Sequence, residues 1–429
     1  MADSAIRAPN WRANCLAHRP MRFRRHLAIA TCLAAVLALA VGAAAQSPFD
    51  IALEAGLAAM RANRYREALE RFREAVAAAP DNLAALLAEV RAANALGEFD
   101  EAVATARSIV AMAAAPEHQA WLAAVAERAG LTDEARAAYK ASVQGEWLGR
   151  SDVAESYLLF LVDIGDHTAA LELARTEGWL APDRDYCRDP LPGINRRTGM
   201  LLAWLVHPDQ APCLLQVARS LTDEGYTRLP RHILLDLIAK TDDQKLKARA
   251  TAFLRARLPQ HDVPTLAEAL NGAGYSLSRR LQNDDAIRAY ERAMAIDPRF
   301  SWPPSNLARV HINRKDYAQA LEWLQKAVAL NPDHLRAVQN LGWTLNELGR
   351  RDEALAIYQR ALALDPDDAW THANIGWALL KLGRESEAVP ALQTSLRLDP
   401  SQRNVRNFLD TRFGADPRVG PSPFTSHDR

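Results

Sequence analysis

A pattern of apolar, small and polar positions recurs every 34 residues from Ala267 to Pro400, four times without an insertion. In each repeat the pattern predicts two helices joined by a turn, and one apolar stripe of the first helix packs inward. The positions that stay small or proline in all four repeats are Ala286, Ala320, Ala354 and Ala388, and Pro298, Pro332, Pro366 and Pro400. A 34-residue period of two-helix units predicts a solenoid, because each unit must stack on its neighbours to bury its apolar face.

A looser form of the same pattern occupies residues 49–182. Its small residues Ala68, Ala102, Ala135 and Ala170 are separated by 34, 33 and 35 residues. Between 183 and 264 the spacing is lost, and prolines and glycine mark a loop among short helical stretches. We therefore predict an all-α helical-hairpin solenoid with two arrays, 49–182 and 267–400, joined by a degenerate helical segment.

The ends of the second array have their own predicted roles. Residues 401–413 form an amphipathic stretch that we expect to be a helix capping the last repeat, as the exposed face of a terminal repeat requires. Residues 414–429 are rich in proline and glycine, and we expect them to be disordered.

The amino-acid sequence of the repeats resembles the tetratricopeptide repeat. Two repeats read Asn-Leu-Gly-Trp at 340–343 and Asn-Ile-Gly-Trp at 374–377, and the first continues with Asp-Glu-Ala at 352–354. The sequence departs from the family pattern at Ala308, where the family has glycine, and at His372, where it often has tryptophan. The resemblance implies hairpins whose inner groove holds an extended peptide or a partner helix.

A second stripe, polar and aromatic, runs along the first helix of each repeat, about 200° around the helix from the inward stripe. Because it lies opposite the packed face, we expect it to line the groove, where the resemblance also places a bound peptide. The predicted partner-binding residues are Trp302, Asn306, Arg309, Arg336, Asn340, Trp343, Glu347, Trp370, Asn374, Trp377 and Lys381.

Two kinds of side chain in this stripe have competing interpretations. The ladder of Asn306, Asn340 and Asn374 either bonds the backbone of a bound peptide or bonds a neighbouring helix. The tryptophans either provide binding hot spots or pack between repeats. The family's carboxylate clamp needs several basic residues around such asparagines, and only Arg309 and Arg336 are near, so we do not predict recognition of a C-terminal carboxylate.

The N-terminus has the pattern of a bacterial secretory signal peptide. A basic stretch begins at Met21, an apolar stretch runs from Leu27 to Ala45, and an Ala-x-Ala cleavage pattern precedes Gln46. We therefore predict a signal peptide at residues 1–45, with Met21 as an alternative start, and a protein of the periplasm or cell envelope. The alternative is an uncleaved membrane anchor, since nineteen residues just span a bilayer.

Removal of this leader leaves two cysteines, Cys187 and Cys213. In an exported protein they either pair in a disulfide or remain two buried thiols. Export by itself does not bring the two Cα atoms within bonding distance.

Charge and motifs exclude several classes of function. Without the first 45 residues the chain carries 46 basic and 51 acidic residues, with no basic face for nucleic acid. No phosphate loop, nucleophile elbow or zinc-binding motif is present, so we predict no cofactor, no metal and no enzymatic activity.

His311 and His372 lie on inward positions typical of core residues. An unrecognised site would have to lie in the irregular segment, among Asp183, Asp185, His207, Asp209 and His232.

The sequence thus predicts a non-catalytic scaffold of the bacterial envelope that binds a peptide or protein in the groove. The alternative is a structural subunit that uses its convex face or its irregular middle segment and leaves the groove unused.

Overall fold

The computed structural model of the protein describes residues 47–147, 149–180, 196–206, 211–223 and 226–413. In these ranges the chain forms 21 α-helices and no strand. The fold is the all-α helical-hairpin solenoid that the sequence predicts. The predicted leader at 1–45 and the predicted disordered tail at 414–429 lie outside the described residues.

Odd-numbered helices are mostly the first helices of hairpins, and the even-numbered helix that follows is the second. The early helices are α1 (Pro48–Arg61), α2 (Tyr65–Ala78), α3 (Leu83–Leu96), α4 (Phe99–Met112), α5 (Pro116–Arg128), α6 (Thr132–Ser142), α7 (Arg150–Asp163) and α8 (His167–Thr176). The middle segment contains α9 (Arg196–Val206), α10 (Ala211–Asp223), α11 (Arg228–Lys240) and α12 (Gln244–Arg257). The regular repeats contain α13 (Thr265–Arg279), α14 (Asn283–Ile296), α15 (Trp302–Asn313), α16 (Tyr317–Leu330), α17 (Leu335–Glu347), α18 (Arg351–Leu364), α19 (Ala369–Lys381), α20 (Glu385–Leu398) and α21 (Arg403–Phe413).

In each regular repeat, the second helix ends immediately before the residue that precedes the proline. The residues before the four prolines, Asp297, Asn331, Asp365 and Asp399, have φ values between −144° and −133° and leave the helix. The proline ring disfavours helical backbone at the preceding residue, so the period of prolines sets the period of helix ends.

The two helices of a hairpin approach closely at one small residue. A Cβ added to Gly342 in α17 would lie 2.7 Å from Cε1 of Tyr358 in α18, and one added to Gly274 would lie 2.8 Å from Cε1 of Tyr290. Ala354, on the facing side of α18, is fully buried. The two helices are therefore closely spaced at Gly342, where the absence of a Cβ leaves room for the tyrosine ring of the second helix.

The tight turn inside a hairpin places one residue in the left-handed backbone region. Gly349 fills this position with a φ of 81°. Asn63, Leu281 and Lys315 fill it in three other hairpins, with φ values of 58°, 62° and 62°. Leucine is costly there because its Cβ crowds the following carbonyl oxygen.

The chain divides into two compact units. The N-terminal unit takes the described residues as far as Ala250 together with Asp262–Pro298, and the C-terminal unit takes Thr251–His261 and the described residues from Arg299 onward. The array predicted at 267–400 is thereby divided after Pro298, because its first hairpin, α13 with α14, packs with the early helices.

In the N-terminal unit, α13 and α14 lie along the turns of the early hairpins. α13 contacts α3 and α5, with Leu270 packed on Phe99. Arg292 donates hydrogen bonds of 2.9 Å to the carbonyl of Gly97 and to Glu98. Arg66 donates one of 2.8 Å to Asp285. These contacts join residues about 200 apart in sequence.

A polar contact holds the start of α13 to the start of α11. The Glu268 carboxylate accepts hydrogen bonds from the backbone N–H and the hydroxyl of Thr227, at 2.6 and 2.8 Å. Burial, with the negative charge of Asp163 nearby, raises the pKa of Glu268 to about 7 despite these two hydrogen bonds. The contact therefore includes a carboxyl group that is partly protonated near neutral pH.

The middle helices cover the first helix of the fourth hairpin. α9 and α11 pack on α7, whose residues Val153–Ala154 and Tyr157–Val162 are buried around its whole circumference. Thr198 in α9 donates a 2.7 Å hydrogen bond to the buried carboxylate of Glu155, and Arg228 in α11 pairs with Asp163.

The C-terminal unit stacks α15 to α20 and ends on α21. Val405 and Leu409 of α21 are buried against Leu392 and Leu396 of α20. Ala256, near the end of α12, packs on Leu335 and Val338, and Arg257 pairs with Asp365 at 2.7 Å. None of the helices described here is both long enough and apolar enough to span a membrane.

We expect Leu281→Gly to raise the free energy of unfolding by about 0.5–1 kcal/mol, because glycine accepts the left-handed conformation without strain. Little burial is lost, since Leu281 is 76% exposed. Urea unfolding followed by circular dichroism measures the change. Gly349→Ala, at the same position of another turn with no atom near the new Cβ, is the control and should destabilise. A lower midpoint for Leu281→Gly would show that this leucine makes a stabilising contact.

Candidate functional site

The first helices of the C-terminal unit form one continuous side of its stack. α15 contacts α17, and α17 contacts α19. No comparable contact joins the second helices α16, α18 and α20 in this part of the structure. We call the side formed by α15, α17 and α19 the inner face, and the side formed by α16, α18 and α20 the outer face.

All eleven predicted partner-binding residues lie on the helices of the inner face, but their accessibility differs. Asn340 is buried, with an exposed fraction of 6%, and Lys381 is exposed. The half-buried residues are Trp302, Asn306, Arg309, Arg336, Trp343, Glu347, Trp370, Asn374 and Trp377.

Each of the four tryptophans packs on the ring of a residue in a neighbouring hairpin or in the capping helix. The ring of Trp302 stacks on that of His334 with 6.0 Å between centroids. Trp370 meets the ring of Tyr358 edge-on at 6.3 Å, and Trp377 meets Phe408 of the capping helix edge-on at 5.3 Å. These rings combine packing with partial exposure, so the two interpretations of the tryptophans are not exclusive.

Trp343 is at the centre of the stripe. It meets the ring of Tyr317 edge-on, with 5.7 Å between centroids, and both residues are half-buried. An aromatic pair of this kind restricts the orientation of the indole. Trp343 therefore joins two hairpins, as the other three tryptophans of the stripe do.

The asparagine ladder is partly engaged within the protein. The side-chain amide of Asn374 donates a 2.8 Å hydrogen bond to the carbonyl of Trp370, four residues earlier in the same helix. Short polar side chains often bond their own helix in this way. With Asn340 buried as well, two of the three asparagines present little free amide surface to a partner.

Charged side chains border the aromatic residues. Lys381 in α19 lies 3.4 Å from the Glu347 carboxylate in α17 and so links two hairpins. Arg309 and Arg336 add two positive charges to the inner face. The stripe therefore contains three cationic side chains and one carboxylate, of which Lys381 and Glu347 pair with each other.

The most deeply buried histidine of this region is His334, which lies between repeats rather than on a helix. Its Nδ1 is 3.1 Å from the Ser301 hydroxyl. Burial, with a smaller effect of the positive charge of Arg336, lowers the pKa of His334 to about 3. The helical pattern pointed to His311 and His372 as core residues, yet both are only half-buried. His334 is buried where it stacks on Trp302. The helical periodicity of the sequence cannot predict this contact, because it joins two repeats.

The described part of the middle segment brings no cluster of metal-ligating side chains together. No group of three or more metal-ligating side chains occurs among the residues that the structure covers. His232 pairs with the exposed Asp262 at 3.2 Å. Cys213 is disulfide-bonded, whereas Cys187 lies outside the described residues, as do Asp183, Asp185, His207 and Asp209.

Comparison with protein families decides what these hairpins are. Residues 301–367 match one model of the tetratricopeptide repeat, and residues 59–126 and 345–409 match a second model of the same repeat. Residues 59–126 and 301–409 of the chain are tetratricopeptide repeats. A search of curated proteins finds no match to the whole chain or to part of it.

Several solved structures resemble parts of this tetratricopeptide-repeat chain. MamA AMB-1 is 26% identical over 31% of this chain and 79% of its own, with a TM-score of 0.29. YrrB, described as a TPR protein with an unusual peptide-binding site, is 19% identical over 49% of this chain and 96% of its own, with a TM-score of 0.31. At such TM-scores these likenesses carry no argument about what this chain binds.

The pKa of His334 makes the stability of the C-terminal unit depend on pH. Below about pH 6.5 the unfolded chain binds a proton at this histidine and the folded chain does not, so stability is lost as the pH falls toward 3. We expect the wild type to lose more stability than His334→Gln between pH 7 and pH 4.5. Urea midpoints at each pH measure the difference, and equal pH slopes in the two proteins would contradict the buried neutral state.

Proposed function

We propose that this protein is a non-catalytic scaffold that binds an extended peptide or a partner helix on the inner face of its C-terminal unit. Tetratricopeptide repeats support the general role of protein interaction. The observation that carries the more specific assignment is Trp343, a half-buried aromatic residue that packs on Tyr317 in the same stripe as Arg309, Arg336 and Lys381. Rigid aromatic anchors beside charged groups are typical of binding hot spots.

The corresponding side of the N-terminal unit supports this choice of site. There α9 and α11 already cover α7, and the buried pair Thr198 with Glu155 and the half-buried pair Arg228 with Asp163 hold them in place. A partner on that helix would have to displace packed hydrophobic surface and leave buried charges without partners, which is costly. The inner face of the C-terminal unit requires no such displacement at Trp343.

The compartment that we propose is the bacterial periplasm or cell envelope. The support is the sequence alone: a basic start, an apolar stretch from Leu27 to Ala45 and a cleavage pattern before Gln46. A disulfide at Cys213 agrees with an oxidising compartment, where such bonds persist.

The second candidate function is a structural subunit that makes permanent contacts through its outer face or middle segment. It predicts that substitutions on the inner face leave assembly unchanged. In the described part of the middle segment, α9 and α11 pack on the chain's own α7, so we favour the inner face.

A comparison of two tryptophans tests the inner face. We expect Trp343→Ala to reduce recovery of co-purifying partners from envelope fractions at least tenfold, because truncation of an aromatic anchor costs about 2 kcal/mol or more. Trp323→Ala is the matched control, since Trp323 is a half-buried tryptophan of α16 in the same unit, beneath the Lys326 ammonium. Equal recovery with both variants would refute the site and favour the structural subunit.

The position of the mature N-terminus tests the proposed export and cleavage. We expect the mature protein to begin at Gln46 when its N-terminus is mapped by mass spectrometry after expression in a Gram-negative host. Replacement of Ala43 and Ala45 by bulky residues should leave an uncleaved, membrane-associated precursor, because the cleavage site requires small residues. Detection of residues before 46 in the wild-type protein would support the anchor instead.

A further inference from the structure

A cavity opens on the C-terminal unit at the seam where one hairpin stacks on the next. Its volume is about 420 Å³, within the range of ligand pockets. Leu355 of α18 and Ile375 and Leu379 of α19 form an apolar base, and Leu355 and Leu379 are only 9% and 6% exposed. Asp352, Arg384 and Glu387 stand at the rim, with exposed side chains.

The same seam in the N-terminal unit is closed by ion pairs between second helices. Arg73 of α2 makes a forked pair with Glu101 of α4, at 2.7 and 2.6 Å. Arg107 of α4 makes the same pair with Glu134 of α6, at 2.8 and 2.7 Å. Each arginine lies five residues after the small residue of its helix, and each glutamate lies one residue before the small residue of the next. The guanidinium therefore spans the seam.

The C-terminal unit keeps the glutamates but not the arginines. Glutamine occupies the arginine position in all three second helices of this unit, as Gln325, Gln359 and Gln393. The glutamate at the cavity, Glu387, pairs instead with Arg384 of its own hairpin, at 2.6 and 2.7 Å. Because this pair stays within one hairpin, no guanidinium crosses the seam at Gln359, and the cavity is left open.

The rim has a net negative charge. Arg384 pairs with Glu387, and its positive charge also acts on the exposed Asp352, so the three side chains together carry one net negative charge. The equivalent position in the preceding hairpin is Ala318, so this acidic group distinguishes the seam between α18 and α19 from its neighbour.

We propose that the seam cavity is a docking site for a linear segment of a partner protein that inserts an aliphatic side chain beside a lysine or arginine. The apolar base of Leu355, Ile375 and Leu379 receives the aliphatic group, and Asp352 pairs with the adjacent cation. The exposed Ala356 and Gln359 of α18 extend the cavity along the helix and accommodate the backbone of the segment.

This seam site shares no residue with the site proposed on the inner face. Trp343 does not line the cavity, and the cavity residues are not among those proposed to bind on the inner face. A scaffold with both sites would hold two partners on one unit. Failure of either site therefore leaves the other open to an independent test.

The test uses the full chain and a displayed library of random twelve-residue peptides. Peptides are selected for binding to the wild-type protein, and the binding of each selected clone to Gln359→Arg is then measured. This substitution introduces an arginine at the position from which Arg73 and Arg107 span the seams of the N-terminal unit, where it can pair with Glu387. Gln325→Arg, the same change one repeat earlier, is the matched control because it leaves the cavity residues untouched. Both changes are at exposed positions, and circular dichroism checks that both variants fold.

We expect the clones lost on Gln359→Arg but kept on Gln325→Arg to share an aliphatic residue next to lysine or arginine. Their synthetic peptides should bind Asp352→Asn about two- to fivefold more weakly, as loss of an exposed ion pair implies. Trp343→Ala should not change their affinity. The proposal is overturned if no clone depends on Gln359, if the dependent clones show no basic residue, or if they are enriched in acidic residues instead.

Discussion

The structure depends on the close approach of the two helices in each hairpin. At Gly342 a single added Cβ would collide with the Tyr358 ring, and the ring in turn fills the space between the first helix and the next repeat. Because that space is already packed, a hairpin cannot widen without opening the seam to its neighbour. Stacking, the exposure of the inner face and the shape of the seams all follow from this packing.

Since the hairpins are alike inside, the differences between the units lie in how their surfaces are used. In the N-terminal unit the seams are closed by arginine–glutamate pairs, the turns are covered by α13 and α14, and α7 is covered by middle helices. The C-terminal unit presents instead a half-buried aromatic stripe on its first helices and an open seam between α18 and α19. The first arrangement favours internal contacts, and the second favours contacts with other molecules.

The candidate site illustrates how packing and binding share the same residues. Trp302, Trp370 and Trp377 were predicted as groove residues, and each also packs on a neighbouring ring. The asparagines were predicted as a ladder, but Asn374 bonds its own helix and Asn340 is buried. Helical spacing places these residues along the first helices, yet it cannot report whether a short amide side chain finds a partner within the protein.

What the sequence determined by itself is everything that acts within about one repeat. The prolines end the helices through a clash with the preceding residue, the small residues set the hairpin spacing, and the 34-residue period requires stacking. Only the tertiary structure decided that α13 and α14, in perfect register with the later repeats, pack on the turns of the early hairpins. That choice depends on contacts such as the hydrogen bond from the Arg292 side chain to the Gly97 carbonyl, which joins residues far apart in the chain. A periodic pattern records local packing and carries no information on which distant surfaces fit each other.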